Sequence, residues 1–168
     1  IVIYLRFEYK RTSVFEFMKT EIARGRQVYV VYPLIEESEK SDLKNLMEGY
    51  DLIEKYFPRP TYRISIVHGK LPPKEKELGM EWFIKNETQI MVATTVIEVG
   101  VNIPNASIMI IENANRFGLS QLHQLRGRVG RGAEQSYCIL ITDHKLSQDA
   151  RTRIDTMCRT NDGFEIAD

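Results

Sequence analysis

Apolar residues follow two alternating rhythms along the chain. Short, nearly continuous blocks rich in Val, Ile and Tyr fall at 2–5, 27–32, 63–67, 89–93, 107–111 and 136–141, which is how strands covered on both faces read. Helical spacing fills the intervals. Val14, Phe15, Met18 and Ile22 form one stripe, and Leu43, Leu46, Met47, Tyr50, Ile53 and Phe57 form a longer one that closes before Pro58. Pro73 precedes a third helix, which Leu78, Trp82 and Phe83 are expected to anchor and Gly79 to weaken. Ser120 is the expected N-cap of a fourth, with Leu122, Leu125 and Val129 on one face. Ser147 caps a last helix through Ile154 and Met157, and Asn161-Asp162-Gly163 stops it. Strands alternating with helices predict an α/β domain with a parallel sheet sandwiched between helical layers.

Composition narrows this picture. With 168 residues, 43% of them hydrophobic and 27% charged, the chain suits one globular domain. Lys plus Arg equals Asp plus Glu at 23 each, so no global basic field announces nucleic acid; any such contact must come from local clustering. The run EESEKSD at 36–42 reads as a solvated loop and helix start. Cys138 and Cys158 lack metal-ligand spacing, and Cys138 lies in an apolar run as a core residue would. A reducing cytoplasm is the natural setting. No apolar stretch is long enough to span a membrane. The chain opens at Ile1 without Met or signal peptide, and the expectation is a piece of a longer protein.

In open parallel sheets ligands gather at the carboxyl ends of the strands, and the unusual residues collect in those loops. The stretch 113–132 holds four arginines and no carboxylate. Within it, QLRGRVGRG at 124–132 sets Gln124, Arg128 and Arg131 along one edge, away from Leu122 and Leu125. Gly127 and Gly130 remove bulk beside the guanidinium groups. Arginine carries a permanent charge on a planar fork that binds phosphate oxygens bidentately. Surface arginines closing a helix C-terminus are the plainer alternative. A second loop, ATTVIEVGVNIP at 93–104, leaves a buried strand through Thr94 and Thr95. Hydroxyls and backbone N–H groups there can hold a phosphate without reading base sequence. Gly100 permits an unusual backbone angle, and Pro104 stiffens the exit. His68-Gly69 follows a third strand end, where a lone histidine is more often structural than catalytic.

These residues resemble a known family. Q-x-x-G-R-x-G-R (Gln124, Gly127, Arg128, Gly130, Arg131) is similar to motif VI of superfamily 2 helicases. A-T-T-x-x-x-x-G-V-N-I-P resembles motif V, and His68-Gly69 resembles the region between motifs IV and V. YPLIEESEKSDL, ATTVIEVGVNIPNA, ENANRFGLSQLHQLRGRVGRGAEQSYC and TNDGFEIAD resemble the RecG-type branched-DNA helicases, although the inner stretch FGLSQLHQLRGRVGR is shared almost intact with transcription-repair coupling factors. Transcription-repair coupling factors are the near alternative and a stand-alone phosphate- or nucleotide-binding module a more distant one.

The resemblance implies the second RecA-like domain of a two-domain motor, a three-layer P-loop NTPase-type fold. No G-x-x-x-x-G-K-[ST] and no D-E-x-H occurs, so the phosphate loop and the Mg²⁺ carboxylate belong to an upstream RecA-like domain that shares ATP across a cleft. Arg131 and Arg128 are then arginine fingers, with Gln124 near the γ-phosphate or attacking water. Asn102, Gly100, Gly127 and Gly130 fall on the nucleotide side, and Thr94, Thr95, His68 and Gly69 on the DNA backbone. Asn102 departs from the aspartate usual in the family, keeping an acceptor but losing a charge. No metal ligand is expected in this chain. The implied partners are branched DNA and, within one polypeptide, an upstream motor domain and a wedge domain; the implied state is monomeric. Residues 1–146 form the motor domain, and 147–168 begin a helical coupling extension.

Overall fold

A computed structural model describes residues 2–33, 39–94, 103, 105–126, 135–142 and 146–159. In chain order the elements are β1 (Val2–Phe7), α1 (Arg11–Ala23), β2 (Gln27–Tyr32), α2 (Glu39–Tyr56), β3 (Ile64–Val67) and α3 (Pro73–Ile84). They continue with β4 (Ile90–Thr94), β5 (Ala106–Ile111), α4 (Leu119–Arg126), β6 (Tyr137–Thr142) and α5 (Gln148–Arg159). Short 3₁₀ turns at Glu8–Lys10 and Ala114–Arg116 lead into α1 and toward α4. Among the described residues the strands form one sheet in the order β1-β6-β5-β2-β4-β3, and every pairing is parallel. All six expected strands are present, β4 and β6 shifted one residue toward their carboxyl ends and β1 two residues longer than the apolar block suggested.

Side-chain alternation divides the core in two. Val28, Val30 and Tyr32 of β2 face α1 and α2, where they meet Met18, Leu46 and Phe57. Tyr29 and Val31 face the other way, toward Phe83 of α3, Leu122 of α4 and Ile154 of α5. All six residues of β2 are buried, as a central parallel strand requires. Each fully buried large side chain, such as Phe57 or Leu46, stabilises by roughly 1.5–3 kcal/mol.

Several helix readings need correction. Phe83 is fully buried on α3, but Leu78 and Trp82 are exposed at 43% and 40%. The inward line instead passes through Gly79, four residues before Phe83. A Cβ there would lie 3.1 Å from Val67 Cγ2, and the Gly79 carbonyl accepts the Ser65 hydroxyl at 2.9 Å. Gly79 thus lets α3 approach β3 closely. Met47 on α2 is also exposed. The run at 36–42 is not wholly solvated, since Asp42 is buried. Ser120 is not a cap: α4 begins at Leu119, and the Gly118 N–H donates to Gln121 Oε1 at 3.0 Å. Ser147 does cap α5, its Oγ accepting the Ala150 N–H at 3.1 Å. Met157 lies within α5, while Val129 and 161–163 lie outside the described residues. Cys138 is buried in the core, as expected.

Candidate functional site

Because every strand runs the same way, the carboxyl ends of all six line one rim of the sheet. Across the β3–β4–β2 half, Val67 pairs with Ala93 and Tyr32 pairs with Thr94. His68 and Gly69 therefore follow β3 beside the end of β4. The structure brings together these two of the three loops singled out from the sequence. His68 Nδ1 accepts the Lys70 N–H at 3.2 Å, and its carbonyl accepts the Leu71 N–H at 3.2 Å, closing a tight turn. Burial lowers the His68 pKa, Lys76 and Lys70 lower it further, and Glu75 opposes. The imidazole is thus mostly neutral near pH 7. Gly69 is exposed, with open space where a side chain would begin.

Thr94 closes β4 and is only 4% exposed; its Oγ1 has no hydrogen-bond partner among the described residues. A buried hydroxyl without a partner costs roughly 1–3 kcal/mol, so its position at a loop root is informative. Thr95, Gly100, Asn102 and Pro104 lie outside the described residues, as do Gly127, Arg128, Gly130 and Arg131.

The third loop leaves β5 at Glu112. Its backbone N–H donates to the Val31 carbonyl at 2.9 Å, continuing the ladder one residue past the strand. Asn113 then takes a left-handed backbone at φ 49°, and the chain turns through Ala114–Arg116 into α4. Leu122 packs α4 into the core while Gln124 is exposed, so the expected division between apolar and polar faces holds within the described part of the helix. From α5, Arg153 Nη2 reaches the Asn115 carbonyl at 3.2 Å.

Two residues that sequence reasoning left without a role acquire one. Glu112, 4% exposed, forms an ion pair with Arg11 at the start of α1; one guanidinium nitrogen donates to both carboxylate oxygens. Burial raises the Glu112 pKa while Arg11 holds it back. Tyr32 flanks the pair, and its phenol is pushed well up, first by burial and then by the Glu112 charge, against an opposing pull from Arg11. Asn105 belongs to the opposite end of the sheet, where its Nδ2 donates to Gly25 O and Gln27 Oε1, each at 2.9 Å. Gln27 in turn donates to the Phe83 and Thr88 carbonyls, holding the end of α3. Asn105 is therefore a structural clamp. Among the described residues no cluster of His, Cys, Asp or Glu could hold a metal ion. No helix among them is long and apolar enough to cross a membrane.

An all-parallel sheet between two helical layers is the architecture of a RecA-like domain. The model of the helicase conserved C-terminal domain matches residues 10–133, and the chain belongs to that family. Within it the chain is similar to RecG. It is 54% identical over 160 residues to the ATP-dependent DNA helicase RecG of Synechocystis sp., covering 95% of this chain and 19% of that protein. It is 50% identical over 155 residues to RecG of Bacillus subtilis, covering 92% of this chain and 22% of that protein. A solved structure of RecG bound to a three-way DNA junction matches with a TM-score of 0.82 at 39% identity, over 99% of this chain and 21% of that one. The chain spans about a fifth of the length of these curated relatives.

Proposed function

We propose that this chain is the second motor half of a cytoplasmic, monomeric ATP-dependent DNA helicase that remodels branched DNA. The observation that carries this reading is local. Gln124 is exposed on α4, opposite the buried Leu122, and lies within a 113–132 stretch with four arginines and no carboxylate. A donor-rich edge with no competing acid suits a polyanion. The likeness to RecG over nearly the whole chain supports the choice of polyanions: a nucleotide's phosphates and a DNA backbone.

On this reading ATP, when bound, supplies the phosphoryl group that is transferred to water, with Mg²⁺ held by the first motor domain. Arg131 and Arg128 would stabilise charge developing on that group, and Gln124 would hydrogen-bond near the γ-phosphate or the attacking water. Gly127 and Gly130 admit the close approach this requires, and Gly100 and Asn102 shape the nucleotide side of the second loop. Thr94, Thr95, His68 and Gly69 face the DNA backbone; a neutral His68 serves there as a hydrogen-bonding group rather than a fixed charge. The motor domain covers 1–146. Residues 147–168 begin a coupling extension rooted by α5, and substrate choice rests on a wedge domain elsewhere in the polypeptide.

A direct test compares the chain alone with a polypeptide that joins it to the upstream motor domain. The isolated chain is expected to show no DNA-stimulated ATPase, and the joined protein to show it. Arg131→Ala should then lower kcat by about 10²-fold or more with little change in nucleotide-free DNA affinity. Arg131→Lys should rescue poorly, since an ammonium lacks the planar fork. Robust turnover by the isolated chain, or full activity with lysine, would overturn these roles.

A further inference from the structure

We propose that Glu112, gripped by Arg11, is a positioning residue that sets how the chain leaves β5 toward α4, and so how α4 presents Gln124. This inference rests on the half-motor reading above. Glu112 sits at the last ladder bond before the chain turns through the left-handed Asn113. Its partner comes from the opposite layer: Arg11 begins α1, whose apolar side chains pack on the face of β2 that carries Tyr32, whereas α4 packs on the other. The pair therefore ties one helical layer to the root of the segment that serves the other.

Its surroundings leave little freedom. The Glu112 side chain is 6% exposed and the Arg11 side chain 24%. Tyr32, buried and close enough to feel both charges, sets its hydroxyl against Gly49 of α2 with no room there for even a methyl group. A buried ion pair is a poor device for stability alone, because apolar residues of similar volume often serve as well. What it supplies is direction, since a carboxylate and a guanidinium satisfy each other in few geometries. Direction is what a group beside a reacting phosphate needs: displacement of about 1 Å from productive geometry costs on the order of 10²-fold in rate.

The test uses the complete helicase. Glu112→Gln and the volume-matched pair Arg11→Met/Glu112→Leu are compared with the parent by DNA-saturated ATPase kinetics and thermal melting, with Arg131→Ala alongside. Both variants are expected to lower kcat roughly 10- to 100-fold, with KM for ATP and nucleotide-free DNA affinity within about 2-fold of the parent. The double variant should melt at or above the parental temperature. A packing role predicts the opposite split, with kcat returning as stability returns. A folded double variant turning over within about 2-fold of the parent overturns the positioning role. Should Glu112→Gln fail to fold, the double variant decides. If Arg131→Ala also leaves kcat intact, the half-motor reading itself falls. If Arg131→Ala abolishes turnover and the double variant does not, only the positioning role falls.

Discussion

Thr94 and Glu112 mark what single residues disclose. Thr94 was legible because it ends an apolar block inside a run that resembles motif V, and the structure places it at the rim. Its burial was not legible, because a hydroxyl at a strand end reads the same whether it faces water or the core. Glu112 offered less still: its partner lies 101 residues away, a separation no local spacing can reveal. The buried Thr94 hydroxyl yields a sharp expectation. Thr94→Val keeps the shape and removes a group that has no hydrogen-bond partner among the described residues, so melting should be unchanged or slightly higher. If that hydroxyl serves DNA engagement, DNA-stimulated ATPase of the complete helicase should fall roughly 2- to 10-fold with basal turnover spared, matching the loss of one hydrogen bond. The defect should be the same on every DNA sequence, because backbone contacts carry no base information. Lower stability with intact DNA stimulation would assign Thr94 to packing instead.

At the scale of elements, periodicity locates every strand among the described residues but misplaces parts of two helix faces, at Met47, Leu78 and Trp82. The reason lies in how α2 and α3 meet the sheet. Hydrophobicity ranks Leu78 and Trp82 above Gly79, yet close approach to β3 selects the residue without a side chain. The same principle acts on α2, where Gly49 lies against the Tyr32 ring and hydroxyl. Helix propensity alone makes Gly49→Ala favourable by about 1 kcal/mol. Here the methyl would enter the Tyr32 ring, which is only 7% exposed, and overpacking of that kind costs typically about 1–3 kcal/mol. The clash should win or at least cancel the gain. Urea denaturation of the isolated domain is expected to show a net loss of up to about 2 kcal/mol for Gly49→Ala. A gain near about 1 kcal/mol would mean that Tyr32 can move and that α2 is less firmly seated than its packing implies.

At the scale of the whole molecule, parallel topology explains why loops far apart in sequence serve one rim, and that much was readable from the alternation of strands and helices. It also explains the place of α5, whose Ile154 enters the same core as Leu122 and whose Arg153 reaches the Asn115 carbonyl on the way to α4. Because α5 packs on the motor domain, cutting after it separates a packing role of 147–168 from a coupling role. Ending the complete helicase after Arg159 keeps α5 and removes only the residues beyond that helix. If the removed part couples nucleotide turnover to movement on DNA, the truncated protein should melt like the parent and retain much of its DNA-stimulated ATPase. It should nevertheless lose unwinding of forked DNA, measured by strand displacement. If the segment merely covers the sheet, melting temperature and both activities should decline together. Parental unwinding rates from the folded truncation would exclude the residues after Arg159 from the coupling path.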